Sequence, residues 1–120
     1  MSFLNFSNHS SDNWSETQKK AAIEYGEIID LAFPMVAPEN TSEDIRELTR
    51  EYVQIITELN PSVVLCQGEF TLTYSVVRAL KALGIKVVSA CGSRDSHEEY
   101  EMSGVTKKLS KFEFVQFREY

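Results

Sequence analysis

Polar residues stand at the ends of three predicted strands, which is where α/β proteins usually bind ligands. The residues at these strand ends, most of them polar, are Ser7, Asn8 and His9, then Gln67, Gly68, Glu69 and Phe70, then Ser93 and Arg94. A histidine can exchange protons near neutral pH, and an arginine can hold a phosphate through two parallel hydrogen bonds. The pattern favours a small-ligand site at this rim and is compatible with an anionic ligand.

Each of these residues also has a purely structural interpretation. Gly68 suits a tight turn between a strand and a helix, and Glu69 could interact with the amino terminus of that helix. His9 could be a solvent-exposed loop residue, and Arg94 could form a surface ion pair with Asp95 or Glu98. The sequence alone leaves both interpretations open.

Several chemistries lack motif support. The chain contains neither G-x-G-x-x-G nor G-x-x-x-x-G-K-[ST], so neither a dinucleotide site nor a P-loop is predicted. It also lacks the G-x-S-x-G elbow of α/β hydrolases. Cys66, Cys91, His9 and His97 show no spacing typical of zinc ligands, so we expect no metal and no cofactor.

Charge and hydropathy narrow the possible partners. The net charge is −6, with −7 in residues 1–60 and +1 in residues 61–120. Long nucleic acids need several phosphate-neutralising cations, so they are poor partners for this chain. No apolar run is long enough to span a bilayer, and the amino terminus lacks the pattern of a secretory signal. We therefore expect a cytoplasmic protein without a membrane partner.

Alternating apolar segments and helical stripes predict the elements that carry the rim. The predicted strands are 3–7, 27–33, 62–66 and 85–91, and the predicted helices run from Ser15 to near Gly26, from Thr41 to Leu59, and over 70–83. Ser15 with Gln18 and Thr41 with Asp44 are predicted capping boxes. A polar loop is expected from Gly92 to about Lys108, followed by an antiparallel edge strand over 111–119.

This alternation predicts one α/β domain over residues 1–120. The expected architecture is a three-layer sandwich with a mainly parallel sheet of order 2-1-3-4 and a carboxyl-terminal edge strand. In that order strand 2 lies on one side of strand 1 and strand 3 lies on the other. The loops that follow strands 1 and 3 therefore run to opposite faces of the sheet and leave a crevice between them. The third predicted helix carries Thr71, Tyr74 and Arg78 on the side opposite its apolar face. This side could face a ligand, face another subunit or be solvated.

Three segments resemble the small CRISPR-associated ring nucleases, single-domain relatives of the CARF (CRISPR-associated Rossmann fold) sensors. They are "LNFSNH", "VVLCQGEFTLTYSVVRALKALGIKVVSACGSR" and the closing phenylalanine-rich strand. The most specific part is Gln67-Gly68-Glu69-Phe70 followed by Thr73-Tyr74. The resemblance implies a Rossmann-like, CARF-like fold.

The resemblance also implies an activity. Proteins of this group bind cyclic oligoadenylate, here expected to be cyclic tetra-adenylate, at the two-fold axis of a homodimer. Many open the ring without metal to a linear product with a 2′,3′-cyclic phosphate, which ends the antiviral signal of type III CRISPR systems. The implied catalytic residues are His9, Arg94 and Tyr74. The implied ligand-binding residues are Ser7, Asn8, Gln67, Gly68, Glu69, Phe70, Thr71 and Ser93.

Two other functions remain open at this point. A binding module with the same fold could sense or sequester the messenger without cutting it, because the required groups overlap with those of the enzyme. An interaction subunit could instead use the rim residues to contact a protein partner, with no small ligand.

Overall fold

The computed structural model describes residues 1–100 and 106–120, with side chains for residues 1–93 and 112–120. The strands are β1 (Ser2–Ser7), β2 (Glu27–Ala32), β3 (Val63–Gln67), β4 (Lys86–Tyr100) and β5 (Thr106–Glu119). The helices are α1 (Glu16–Ile23), α2 (Ser42–Leu59) and α3 (Phe70–Ala82), with a short 3-10 turn at Ser11–Asn13. None of the helices described is both long enough and apolar enough to cross a membrane.

The five strands form one mixed sheet in the order β2-β1-β3-β4-β5. β1 pairs in parallel with β2 and β3, and β3 pairs in parallel with β4. β5 is antiparallel to β4 and lies at the edge. The predicted α/β class, the order 2-1-3-4 and the carboxyl-terminal edge strand are therefore confirmed.

Helices cover both faces of the sheet because the buried strands are apolar on both sides. Leu4 and Phe6 of β1 pack with residues of α2 and α3 in one core cluster. Phe3, on the opposite face of the same strand, packs with Ala22 of α1 in the second cluster. One face is thus covered by two long helices, whereas the other has only the eight-residue α1.

The two predicted capping boxes differ in outcome. At α2 the box is complete, because Asp44 N donates to Thr41 Oγ1 at 3.1 Å and Thr41 N donates to Asp44 Oδ2 at 2.9 Å. At α1 only half is present: Gln18 N donates to Ser15 Oγ at 3.2 Å, but the Gln18 side chain does not bond the Ser15 amide. That side chain is directed elsewhere and is only 6% exposed.

The loop predicted from Gly92 to Lys108 is wrong, because β4 continues to Tyr100 and β5 begins at Thr106. The sequence predicts that the strand ends before Gly92, but this residue lies within the β4–β5 ladder, at a shift in the pairing register. A Cβ atom there would collide with the backbone oxygen of Glu113, so glycine allows the two strands to stay paired across the irregularity. Ser93 and Arg94 consequently lie in a β-strand.

Candidate functional site

A cavity of about 550 Å³ opens on the α1 face at the carboxyl ends of β1 and β3. It is lined by Ser7, Asn8, His9, Asn13, Trp14, Ser15, Gln18, Leu65, Gln67, Gly68, Ala90 and Phe112. The loops that follow strands 1 and 3 therefore share one opening, as the switch-point argument predicts. The structure brings five predicted site residues together here: Ser7, Asn8, His9, Gln67 and Gly68.

A buried asparagine fixes the loop that carries His9. Asn5 lies in the middle of β1 and is 2% exposed. Its Nδ2 donates to the His9 carbonyl at 2.8 Å and to Asp30 Oδ1 at 2.9 Å, and its Oδ1 accepts from Ser7 Oγ at 2.6 Å. Ser7 Oγ in turn accepts from the His9 amide at 3.2 Å. Both backbone polar groups of His9 are thus tied to side chains of β1.

Asp30 extends this network to the segment before α1. Its carboxylate accepts from Ser11 N at 3.3 Å, from Ser11 Oγ at 3.0 Å and from Ser10 Oγ at 3.4 Å. Asp30 is the register partner of Asn5 on the neighbouring strand. The pair therefore joins β1, β2 and the 3-10 turn, which leads to the lining residues Asn13 and Trp14.

The cavity also depends on the separation of β3 from β4. Their ladder ends at the pair Leu65–Val88. Beyond it, Gln67 Oε1 accepts from the Ala90 amide at 2.7 Å, so the side chain replaces a backbone ladder bond. With its oxygen engaged in this way, the Gln67 amide presents Nε2 as a hydrogen-bond donor in the cavity lining.

Gly68 is a glycine because an aromatic ring lies against it. A Cβ atom at this position would come 2.5 Å from the ring of Phe33. Phe33 is buried and packs on Phe6, with 4.8 Å between ring centroids, so it has little room to move away. Close packing explains Gly68, and its position in the cavity lining also leaves the backbone open to a ligand.

Glu69 caps its own helix, which was the structural alternative for this residue. Its carboxylate accepts from Leu72 N at 3.0 Å and Thr71 N at 2.9 Å, and also from Thr71 Oγ1. The backbone amide of Leu72, then that of Thr71, holds the pKa of Glu69 below its ordinary value. The Thr71 amide and hydroxyl, predicted to face a ligand, are already engaged by this carboxylate.

Phe70, Tyr74 and Ser93 are not among the residues that line the cavity. Phe70 and Tyr74 are 88% and 68% exposed and lie one turn apart on α3. Ser93 is exposed on β4, opposite Glu113. The backbone of Arg94 pairs with Phe112, and its side chain lies outside the described residues.

Sequence reasoning missed the α1 side of the cavity. Trp14 lines it and is held by Phe3, in an edge contact with 6.1 Å between centroids, and by Phe117 at 6.2 Å. Gln18 lines it too, although its sequence position suggested only a capping role. An available signal was the polar Asn5 in the middle of an otherwise apolar strand.

The described lining combines polar and apolar groups in similar measure and carries no carboxylate. Among the described residues that border the cavity, none is an aspartate or a glutamate, although the protein carries a net charge of −6. The polar side chains of the lining are amides, hydroxyls and one histidine, and its apolar ones are Trp14, Leu65, Ala90 and Phe112. Such a surface can accept an anion by hydrogen bonding without charge repulsion at contact.

The described residues offer neither a reactive thiol at Cys66 nor a cluster of metal ligands. Burial raises the pKa of the Cys66 thiol to about 12, so it stays protonated and unreactive. Within the side chains described, no group of three histidine, cysteine or acidic residues is arranged to hold a metal ion.

The structure is an α/β fold with a cavity at the switch point of its sheet. The chain belongs to the uncharacterized protein MJ1673 family, whose model matches residues 1–118. No curated protein and no solved structure matches the chain.

We expect the Asn5→Ala substitution to destabilise the protein by about 1–3 kcal/mol, because Ser7 and the His9 carbonyl lose a buried partner. Urea unfolding measures this change. The control is Gln54→Ala, an exposed residue on α2 whose side chain donates to exposed Glu58, and it should stay within about 0.5 kcal/mol of wild type. Equal stability of the Asn5 variant and the control would contradict the role given to the network.

The Glu69→Gln substitution should reduce the pH dependence of stability. Because the pKa of Glu69 is lowered in the folded state, its contribution is fully present above the ordinary carboxyl pKa and is lost as the pH falls through the lowered value. Urea midpoints at about pH 7 and about pH 3 should differ less in the variant than in wild type. The Gln54→Ala control should keep the wild-type difference, and an unchanged difference in Glu69→Gln would count against the cap.

Proposed function

We propose that the protein binds cyclic oligoadenylate at a homodimer interface and opens the ring without a metal ion. The observation that carries this proposal is the cavity at the switch point of an acidic protein, lined by neutral donors and, among the described residues, by no carboxylate. A ligand that bears phosphates suits such a surface. The resemblance of "LNFSNH" and "QGEF" to ring nucleases names the ligand class.

The elements around the cavity supply further support for an anionic ligand. Ser15 caps α1, so the amino terminus of this helix lies at the cavity, where the partial positive charge of its dipole favours anions. Asn8 and Asn13 add amide donors to the same lining. These groups recognise phosphate through hydrogen bonds and need no basic cluster.

The size of the cavity fits the proposed two-fold arrangement. A volume of about 550 Å³ lies within the range of about 300–1,000 Å³ that is usual for small-ligand sites. A macrocycle of four nucleotides is larger than a typical ligand of such a site and has two-fold symmetry. Two cavities related by a homodimer axis would each hold part of the ring.

The proposed reaction is an internal transesterification. The ribose 2′-oxygen forms a bond to the adjacent phosphorus, the bond from phosphorus to the 5′-oxygen breaks, and the 2′-hydroxyl proton passes ultimately to the leaving 5′-oxygen. Holding these atoms in line supplies much of the rate, and donors to the phosphoryl oxygens supply more. We assign proton transfer to His9, which lines the cavity, and charge stabilisation to Arg94. Tyr74 lies outside this lining, and we assign its exposed side chain to the dimer contact.

The Rossmann-like, CARF-like classification of the fold belongs to the same proposal. So does the biological role, which would be to end the antiviral signal of a type III CRISPR system in the cytoplasm of a prokaryotic cell. The sheet order and the position of the cavity are compatible with both. Specific support comes from the resemblance in the two rim segments.

Incubation of the protein with cyclic tetra-adenylate in EDTA should convert the ring to linear product. One cut gives a product of unchanged mass and altered chromatographic retention, because no water is added, and two cuts give products of half the mass. Arg94→Ala and His9→Ala should each lower the turnover at least about tenfold, which corresponds to about 1.4 kcal/mol of barrier.

The control for these variants is Arg46→Ala, an exposed arginine on α2 that pairs with Glu43 at 2.7 Å, and it should turn over at the wild-type rate. Tight binding of an intact ring would indicate a sensor or sponge instead of an enzyme. If calorimetry shows no heat of binding, the protein does not bind cyclic tetra-adenylate, and the result favours an interaction subunit without a small ligand.

The homodimer should have a sedimentation mass near twice 13.7 kDa. Phe70 and Tyr74 are the apolar contact we propose, because they lie exposed and adjacent on α3. Replacing both by serine should shift the protein to monomer and lower its affinity for the ring. Ile23→Ser, which alters an exposed apolar residue on α1, should leave the dimer intact; a wild-type protein that sediments as a monomer would refute the two-fold site.

A further inference from the structure

The Gln18 side chain is largely covered by the protein, but its carboxamide faces the cavity without a hydrogen-bond partner among the described residues. The residue is 6% exposed and lines the cavity. Its backbone amide caps onto Ser15, but no hydrogen bond to its side chain is found among the described residues. Among the described residues the only fully inaccessible side-chain atom without a partner is Thr73 Oγ1, so the Gln18 amide is open to the cavity and not sealed in the core.

Helix capping does not explain it. A complete capping box would turn the Gln18 side chain back to the Ser15 amide, as Asp44 does for Thr41 at the start of α2. At α1 the side chain lies instead in the wall of the cavity. The group is therefore available to a molecule that enters there.

The Trp14 side chain lines the same cavity as the Gln18 amide. This residue precedes the cap of α1. Its ring is fixed by contacts with Phe3 and Phe117, so it offers a rigid surface. A planar ligand that stacks or packs on an indole and hydrogen-bonds to an amide would use both groups.

We infer that the α1 side of the cavity is a base-binding subsite, in which the Gln18 carboxamide hydrogen-bonds to the edge of an adenine beside Trp14. This inference rests on the proposed function for its ligand class. It adds a recognition residue that neither the motifs nor the resemblance indicated.

The chemistry of the two edges is complementary. Adenine presents an exocyclic N6 amino donor next to a ring-nitrogen acceptor, and a carboxamide presents an oxygen acceptor next to an NH₂ donor. Gln67 adds a second donor in the same lining, because its oxygen is already engaged by the Ala90 amide. Two amides and an indole can thus bind the base while the neutral rim accepts the phosphates.

The test compares two mononucleotides that differ only at the contact. Adenosine 5′-monophosphate carries the N6 amine, and purine riboside 5′-monophosphate lacks it. We expect wild-type protein to bind the first at least about tenfold more tightly, and Gln18→Leu to bind both with equal affinity, because the leucine makes neither hydrogen bond. Calorimetry with the full-length chain measures the four affinities, and Gln54→Leu on exposed α2 is the matched control.

Unfolding of the ligand-free proteins separates recognition from a structural role. Replacing an amide that has no protein partner with an apolar side chain of similar size should leave the stability of Gln18→Leu close to that of wild type. A variant that is less stable than wild type and still prefers the amine would show that Gln18 supports the fold, and the inference would be wrong.

The remaining outcomes distinguish this subsite from the proposed function. If cyclic tetra-adenylate is cleaved equally well by Gln18→Leu and no amine preference exists, the subsite is refuted while the ring nuclease stands. If the amine preference depends on Gln18 but the ring is left intact, the subsite stands and the cleavage proposal falls. Absence of binding of either mononucleotide to wild type would also refute the subsite.

Discussion

The hydrogen bonds of Asn5 are the constraint on which the rest of the site depends. A polar side chain in the middle of a buried strand is costly unless all its groups are paired, and Asn5 pairs them with Ser7, the His9 carbonyl and Asp30. The same bonds that make Asn5 tolerable in β1 hold the following loop against the sheet. Because that loop leads directly to Trp14 and α1, the position of one wall of the cavity follows from a single buried amide.

The opposite wall results from a parallel ladder that stops early. β3 and β4 separate after the pair Leu65–Val88, and side chains then take over the freed backbone groups. Gln67 accepts from the Ala90 amide, and the Tyr120 hydroxyl donates to the Cys66 carbonyl at 2.7 Å. An opened sheet would normally leave buried polar groups unpaired. Here those two are satisfied, so the opening is a stable feature of the fold.

The sequence predicted what depends on local pattern and missed what depends on distant pairs. Apolar runs alternating with helical stripes were sufficient for the sheet order, and the switch-point rule placed the loops after β1 and β3 at one cavity. The Asn5–Asp30 contact joins residues 25 positions apart, and no local pattern reports it. Gly92 was misinterpreted because a glycine among polar residues resembles a loop, whereas here it permits a bulge in a long hairpin. Gln18 was hidden because its spacing from Ser15 satisfied a simpler explanation.

Polar side chains around the cavity fall into two kinds: those that are hydrogen-bonded within the protein and hold the loops and helix ends in place, and those that face the cavity without a protein partner. Asp30 and Glu69, two carboxylates next to cavity-lining residues, are both engaged by nearby N–H and O–H donors, so their charges serve the loop and the helix cap. An acidic protein can therefore keep a lining without carboxylates among its described residues. Gln18, by contrast, faces the cavity with its hydrogen-bonding capacity unused. A ligand that completes those bonds binds only the folded state, so occupancy of the cavity and stability of the thin α1 layer are thermodynamically linked.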